Sequence, residues 1–105
     1  MPNYMITYRG QAKPATPDEG MAHMGKWKAW VSGLDDAVIN AGTPLKGATI
    51  ITSDGVSNKP NPNAMGGYMI IRADDMEAAQ KIAQSDPYLD MIGGSLELAE
   101  IIEMG

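Results

Sequence analysis

Residues 67–73 constrain the fold more than any other segment of the chain. They read GYMIIRA, and because alternate side chains of a β-strand point to opposite faces, both faces of such a strand would be apolar. A strand of this kind is typical of the middle of a sheet that is covered on both sides. The segment from Tyr4 to Arg9 alternates in the same way, with Met5 on its second face. We therefore expect these two segments to be the central strands of one sheet.

Two helices are predicted from their capping residues. Thr16 can cap the first helix, and Glu19 can complete a capping box. An apolar stripe at spacings of three and four residues then indicates that this helix packs on the sheet; the stripe consists of Met24, Trp27, Val31, Leu34 and Val38. Asp74 or Asp75 caps a second helix, which Pro87 ends or bends.

Two further strands complete the predicted order. The second strand is expected from Lys46 to Ser53, followed by a turn at Asp54-Gly55, and the last strand from Ser95 to Ile102. Residues 57–65 are rich in Pro and Asn and are expected to form a mobile loop. The order β-α-β-β-α-β predicts an α+β fold of the ferredoxin-like type, in which the first and third strands are central.

The predicted fold leaves one face of its sheet without cover. The chain has 105 residues, which suits a single domain over residues 1–105. Both helices of a ferredoxin-like fold lie on the same face of the sheet. In a chain this short a second copy is the simplest cover for the other face, so a homodimer is expected.

The composition narrows the classes of partner. The formal net charge is −5 and no run of adjacent basic residues occurs, which disfavours nucleic acid and anionic membranes. The absence of cysteine excludes disulfides and Cys-bound metals. The apolar stretches are far shorter than the ~20 residues that cross a bilayer, and the first residues do not resemble a signal peptide, so a cytoplasmic protein is expected. The glycines form no nucleotide-binding motif, and we expect no cofactor.

Several segments, taken in order, resemble the YCII-related proteins. They are Tyr4-Met5-Ile6, His23-Met24, the pair Trp27 and Trp30, Gly66-Gly67-Tyr68, and the run from Gly93 to Leu98. That last run, GGSLEL, is similar to the ending of the subgroup called DGPF proteins. The motif that names the subgroup is altered here, because Asp54-Gly55 is followed by Val56-Ser57 and the chain contains no Phe.

The resemblance implies a fold, an activity and a candidate pair of residues. The fold is the dimeric α+β barrel, in which two ferredoxin-like sheets close over a shared interior. Some relatives are dehalogenase- or lyase-like enzymes, and the His–Asp pair proposed as catalytic in some branches falls on His23 and Asp86. The sequence Asp86-Pro87-Tyr88 matches a family pattern in which the carboxylate faces the cavity.

His23 and Asp86 each allow two interpretations. His23 is the only histidine, and at the edge of the apolar stripe it could act as a general acid or base. It could equally be a partly exposed helix residue stacked on Trp27. Asp86 could orient the imidazole as in a catalytic dyad, or the Asp-Pro pair could simply end the helix.

Four other residues could bind a substrate. Tyr4, Tyr8 and Tyr68 lie on the predicted central strands and could offer hydroxyl groups, although tyrosines in a half-buried sheet are usually core residues. Arg72 could bind a carboxylate or form a surface ion pair. With one histidine and no cysteine, we expect no metal site within one chain.

Three functions remain open on the sequence. The first is a small-molecule enzyme in which His23 moves a proton next to a carbonyl or in an elimination; it predicts that His23→Ala folds but loses turnover. The second is a non-catalytic dimer that binds a ligand or a protein, for which changes in residues 57–65 would disrupt association. A cofactor-free monooxygenase is the third, by fold analogy alone.

Overall fold

The computed structural model describes residues 1–10, 12, 14–61 and 63–104. Six strands and two helices follow one another as β1 (Asn3–Arg9), α1 (Pro17–Leu34), β2 (Val38–Asn40), β3 (Ile50–Thr52), β4 (Gly55–Ser57), β5 (Gly67–Arg72), α2 (Met76–Gln84) and β6 (Ser95–Glu100). Short 3-10 turns occupy Asp35–Ala37 and Pro87–Asp90. No described helix combines the length and the apolar character that a membrane span requires.

Four strands form one antiparallel sheet in the order β2-β5-β1-β6. The central strands are β1 and β5, as the two-sided apolar pattern of their sequences predicts. Their register places Tyr4 opposite Ile71, Ile6 opposite Met69 and Tyr8 opposite Gly67. With two helices packed on this sheet, the predicted α+β fold of the ferredoxin-like type is confirmed.

The core lies between the sheet and the two helices. Its fully buried large side chains are Tyr4 and Ile6 from β1 and Met69 and Ile71 from β5. Ala79 and Ala83 of α2 close against them, and the small size of alanine lets this helix lie near the sheet. The half-buried side chains of α1 that pack on the same core are Trp27, Trp30 and Val31.

Both helices begin at capping residues that the sequence predicts. The Glu19 amide donates to Thr16 Oγ1 at 3.1 Å, and Glu19 Oε2 accepts from the Ala15 amide at 3.0 Å. For α2 the cap is Asp75, whose Oδ1 accepts from the Ala78 amide at 2.8 Å. These bonds satisfy amides that have no partner inside the helix.

The first helix is shorter than its apolar stripe predicts. It ends at Leu34 because Asp35 adopts a φ of 51°, which breaks the helical path. Val38, assigned from the sequence to the helix stripe, instead begins β2 and lies opposite Ile71. The helix prediction was therefore wrong for its last four residues.

The prediction of Lys46–Ser53 as the second strand of the main sheet was also wrong. Only Ile50–Thr52 of this segment is a strand, and it pairs with β4 in a separate two-stranded sheet. The turn that joins these two strands lies at Ser53-Asp54, one residue before the predicted Asp54-Gly55, and Gly55 begins β4. The place beside β5 is taken by β2, which is too short to show strand periodicity in the sequence.

The segment expected to be a mobile loop has no helix or strand from residue 58 to 66 in its described part, and Pro62 lies outside the described residues. Arg9 fastens this segment to β1, because its Nη1 donates to the Asn63 carbonyl at 2.8 Å.

The sheet face opposite the helices carries a row of half-buried side chains. The register places Met5 beside Ile70 and Thr7 beside Tyr68 on this face. Arg72 lies at the same face, exposed and opposite Asn3. Both helices pack on the other side of the sheet, so this layer of apolar and polar groups is only partly screened from water.

Candidate functional site

A cavity of about 240 Å³ lies between α1, the end of the central strands and the segment that follows β2. Its walls are mostly apolar or aromatic and include the side chains of Tyr8, His23, Met24, Trp27, Tyr88 and Met91. None of the described residues that line it is a lysine, arginine, aspartate or glutamate. The cavity therefore suits a ligand without a strong charge.

Tyr8 enters the cavity from the end of β1. It lies on the helix-facing side of the sheet, directly opposite Gly67 of β5, which is buried. A Cβ at Gly67 would come within 3.2 Å of the Thr43 carbonyl and 3.6 Å of the Tyr8 ring. Glycine at this point thus leaves the space that the cavity occupies.

The segment beyond β2 supplies the opposite rim. Gly42 has a φ of +73°, and a Cβ at this position would overlap the Tyr68 carbonyl oxygen. Only glycine combines this backbone angle with such a close approach to β5. The rim residues from Ala41 to Pro44 are held against the sheet in this way.

His23 and Trp27 enter from α1. They are four residues apart, so they lie on one face of the helix. Both are half-buried and both line the cavity. Among the described residues that line the cavity, His23 brings the one imidazole, a group whose ring nitrogens can both donate and accept a proton.

Asp86 lies behind the cavity wall and is only 2% exposed. Its Oδ2 accepts a hydrogen bond from the Tyr8 hydroxyl at 2.6 Å, and its Oδ1 accepts from the Tyr88 amide at 2.9 Å. Among the described residues no hydrogen bond joins Asp86 to His23. The Asp86 carboxylate is therefore linked to the cavity wall through its hydrogen bond with Tyr8.

Burial dominates the ionisation of this pair. Removal from water raises the pKa of Asp86, while the Tyr8 hydroxyl, the Tyr88 amide and the nearby His23 oppose the rise. The pKa of Tyr8 is also raised, first by burial and then by its bond to Asp86. Tyr8 therefore holds its proton at every ordinary pH.

Tyr88 is a wall residue that the sequence analysis did not single out. Its hydroxyl donates to the Arg9 carbonyl at 2.9 Å and accepts from the Ala12 amide at 3.1 Å. Its ring meets that of Tyr8 edge to face, with ring centroids 5.0 Å apart. The Asp-Pro-Tyr pattern was the available signal, since it fixes Tyr88 two residues after the buried carboxylate.

The other predicted site residues lie in different surroundings. Tyr4 is 1% exposed in the core and does not line the cavity. Tyr68 borders the cavity, but the register places its side chain on the sheet face opposite that of Tyr8. Arg72 is exposed on that same face, away from the cavity. Of the six residues, His23, Tyr8 and Tyr68 line the cavity, and Asp86 lies behind Tyr8.

No group of three or more His, Cys, Asp or Glu side chains in the described part of the chain lies together as metal ligands would. The arrangement instead combines one imidazole, one phenol and one buried carboxyl group around an apolar space. Such a set can hold a small ring and move a proton at it.

Together the ferredoxin-like sheet and the cavity beside it define a small α+β domain. The YCII-related domain matches residues 4–105, and the chain belongs to this family. The family expected from the sequence is thereby confirmed; the DGPF subgroup stays a prediction. The comparison with curated proteins gives no significant match.

Among solved structures, the chain is similar to 5-chloro-2-hydroxyhydroquinone dehydrochlorinase (TftG) from Burkholderia phenoliruptrix AC1100, in complex with 2,5-dihydroxybenzoquinone. The TM-score is 0.56 at 18% sequence identity, and the match covers 98% of this chain and 95% of that one. At this identity the likeness establishes the shared fold.

Proposed function

We propose that the chain is a small-molecule enzyme of the lyase or isomerase type, in which His23 transfers a proton within the cavity. The observation that carries the proposal is the position of His23: it lies in the wall of a mostly apolar cavity that is also lined by Tyr8, a tyrosine bound to a buried carboxyl group. An apolar site strengthens the electrostatic interactions that accompany proton transfer.

The cavity walls indicate the class of substrate. An apolar cavity of about 150 Å³ accommodates benzene, so the larger space here suits one six-membered ring with small substituents. Trp27, Tyr8 and Tyr88 offer aromatic surfaces to such a ring. The TftG structure holds a ring of this size, 2,5-dihydroxybenzoquinone, on the same fold. We therefore propose an uncharged or weakly acidic oxygen-bearing ring as the substrate.

The proposed reaction needs only the residues in the wall. His23 removes a proton from the carbon next to a carbonyl group, and the electron pair of that bond forms a double bond. In an isomerisation the proton returns at another atom; in an elimination a leaving group departs with its bonding electrons. Tyr8 lines the same cavity, and its hydroxyl is held by a hydrogen bond to Asp86.

The proposal includes a homodimer in the cytoplasm. The sheet face that bears Met5, Thr7, Tyr68 and Ile70 is the surface through which a second copy would bind. Burial of this face would remove half-buried apolar groups from water, which is the main favourable contribution in most protein association.

The proton transfer can be tested before a physiological substrate is known. Substituted cyclic ketones and hydroxyhydroquinones in D₂O are incubated with the protein, and NMR measures exchange of ring or α-carbon hydrogen for deuterium. We expect wild type to accelerate exchange for a subset of these compounds. His23→Ala should lose ~10²-fold or more of this acceleration while keeping its circular dichroism spectrum.

Met21→Ala is the matched control, because Met21 lies on the same helix and is 75% exposed. It should exchange hydrogen at the wild-type rate. If His23→Ala also exchanged at that rate, the enzyme proposal would be wrong. Ring binding without any exchange in wild type would instead support the non-catalytic binding module.

A further inference from the structure

We infer that Tyr8 is the residue that hydrogen-bonds the substrate oxygen, and that Asp86 is a positioning residue which decides whether the Tyr8 hydroxyl donates into the cavity or accepts from it. The inference rests on the proposed function, since it assigns a role at the same cavity. It departs from the expected dyad, because it connects Asp86 to Tyr8 and not to His23.

The two oxygens of Asp86 have different partners. Oδ1 accepts from the Tyr88 backbone amide at 2.9 Å, and a backbone amide can only donate. When Asp86 is protonated, its proton therefore belongs on Oδ2. That oxygen is 2.6 Å from the Tyr8 hydroxyl oxygen, so the acid proton lies between Asp86 and Tyr8.

Within the described part of the chain, the proton of Tyr8 has two directions available. Trp27 lines the same cavity as Tyr8, but an indole N–H donates and cannot accept that proton. The Tyr88 hydroxyl is committed to the Arg9 carbonyl and the Ala12 amide. The Tyr8 proton therefore points either to Asp86 or into the cavity.

The charge of Asp86 selects between these directions. An ionised carboxylate accepts the Tyr8 proton as a hydrogen bond, which leaves the phenol oxygen to accept from a ligand in the cavity. A protonated carboxyl group donates to the phenol oxygen, which turns the Tyr8 proton toward the cavity. The first state favours a ligand hydroxyl, and the second favours a ligand carbonyl or enolate oxygen.

The groups that face Asp86 come from three elements: Tyr8 on β1, His23 on α1, and Tyr88 in its own turn. Burial raises the pKa of Asp86, and a positive charge on His23 lowers it. The charge of His23 therefore influences the direction of the Tyr8 hydroxyl, although no hydrogen bond joins His23 to Asp86 among the described residues.

The direction of the hydroxyl can be followed without a ligand. In protein labelled with ¹³C in tyrosine and aspartate, NMR reports the Tyr8 Cζ and the Asp86 Cγ shifts between pH 3 and pH 8. We expect the Tyr8 Cζ shift to change with the same midpoint as Asp86 Cγ. In Asp86→Asn the Tyr8 shift should lose this pH dependence, whereas in Asp90→Asn, an exposed carboxylate of the same turn, it should keep it.

Binding supplies the second measurement, with cyclohexanone as a probe that can only accept hydrogen bonds. Asp86→Asn mimics the protonated state, because the amide group can donate to Tyr8 while its oxygen accepts from Tyr88. We expect wild type to bind cyclohexanone about three- to tenfold more weakly at pH 8 than below the Asp86 midpoint. Asp86→Asn should bind tightly at both pH values, and Tyr8→Phe weakly at both.

The outcomes separate this inference from the proposed function. A Tyr8 Cζ shift that ignores Asp86, or an Asp86→Asn variant that binds as weakly as Tyr8→Phe, would overturn the inference even if hydrogen exchange is observed. Absence of exchange at every ring compound would refute the proposed function, while the ligand-free NMR result still decides the inference about Tyr8 and Asp86.

Discussion

The hydrogen bond between Tyr8 and Asp86 joins residues that are 78 positions apart in the chain. Tyr8 reaches it because it lies on the helix-facing side of a central strand, and Asp86 because it caps the turn at Pro87–Asp90. The bond places a buried carboxyl group beside a cavity whose described lining residues include no Asp or Glu. At the scale of single residues, this pair distinguishes the site from an ordinary apolar cleft.

The stability of the protein should depend on pH through Asp86. Its pKa in the folded state lies above the ordinary value of 3.8, because burial disfavours the charged form. As pH rises from 3.8 through the folded-state pKa, the unfolded chain ionises first, so this contribution to the free energy of unfolding is lost. It is fully present only below pH 3.8.

We therefore predict that the difference in free energy of unfolding between wild type and Asp86→Asn changes with pH. Urea denaturation from pH 3.5 to pH 8 would measure this difference. Wild type should lose stability relative to the variant as pH rises, by about 1.4 kcal/mol for each unit by which the folded-state pKa exceeds the ordinary one. A difference that grew in favour of wild type would show that the fold prefers the carboxylate.

The sequence could identify His23 and Asp86 by residue type and motif, but not the bond that Asp86 makes. That bond depends on the register of β1 with β5 and on where α2 ends, and both are set by tertiary packing. Tyr8 and Tyr4 looked alike on the sequence, since both alternate onto the same face of one strand. Their surroundings differ only because Tyr4 lies in the part of β1 that is covered by the core, whereas Tyr8 lies at the end of β1 that borders the cavity.

At the scale of elements, α1 stops where its sequence opposes a helix. Asp35 and Asp36 place negative charges at the helix C-terminus, where the helix dipole disfavours them, and the last turn has no basic residue. This was the signal that could have ended the predicted helix before Val38. No comparable feature of the sequence indicated that β2, and not Lys46–Ser53, would pair with β5. A strand of three residues is too short to show an alternating pattern.

The positive φ of Asp35 predicts a stabilising substitution. Asp35→Gly should raise the free energy of unfolding by ~1 kcal/mol, because glycine adopts a φ of 51° without the strain that a Cβ causes. Thermal and urea denaturation would measure it. The control is Asp36→Gly, at a position without positive φ, which should lower stability by up to ~1 kcal/mol; a gain at both positions would contradict the assigned role of Asp35.

At the scale of the whole molecule, the chain is broad and thin. Its radius of gyration is 15.0 Å and its shortest extent 18 Å, whereas a domain of this length typically has a radius near 13 Å. The thin dimension is one sheet and one layer of helices. The β3–β4 hairpin adds to the breadth, with Ile51 73% and Val56 65% exposed.

The proposed dimer predicts a clear effect of one charge on the uncovered sheet face. Ile70→Lys should convert a dimer into a monomer in light scattering after size exclusion, because the lysine would have to be buried unpaired in the interface. Ile92→Lys is the control, since Ile92 is 99% exposed in a loop and should leave the mass unchanged. A dimer that persists in Ile70→Lys, or a monomeric wild type, would contradict the proposed interface.

The place of β1 between β5 and β6 has a consequence for how the protein is made. Tyr4 lies opposite Glu100, so β1 pairs on one side with a strand that is synthesised long after it. At a translation rate of ~5–20 residues per second, β1 waits several seconds with one edge unpaired. During that time the nascent chain exposes an apolar strand with an unpaired edge to other chains and to chaperones. The nascent chain is therefore more prone to aggregation than the folded protein.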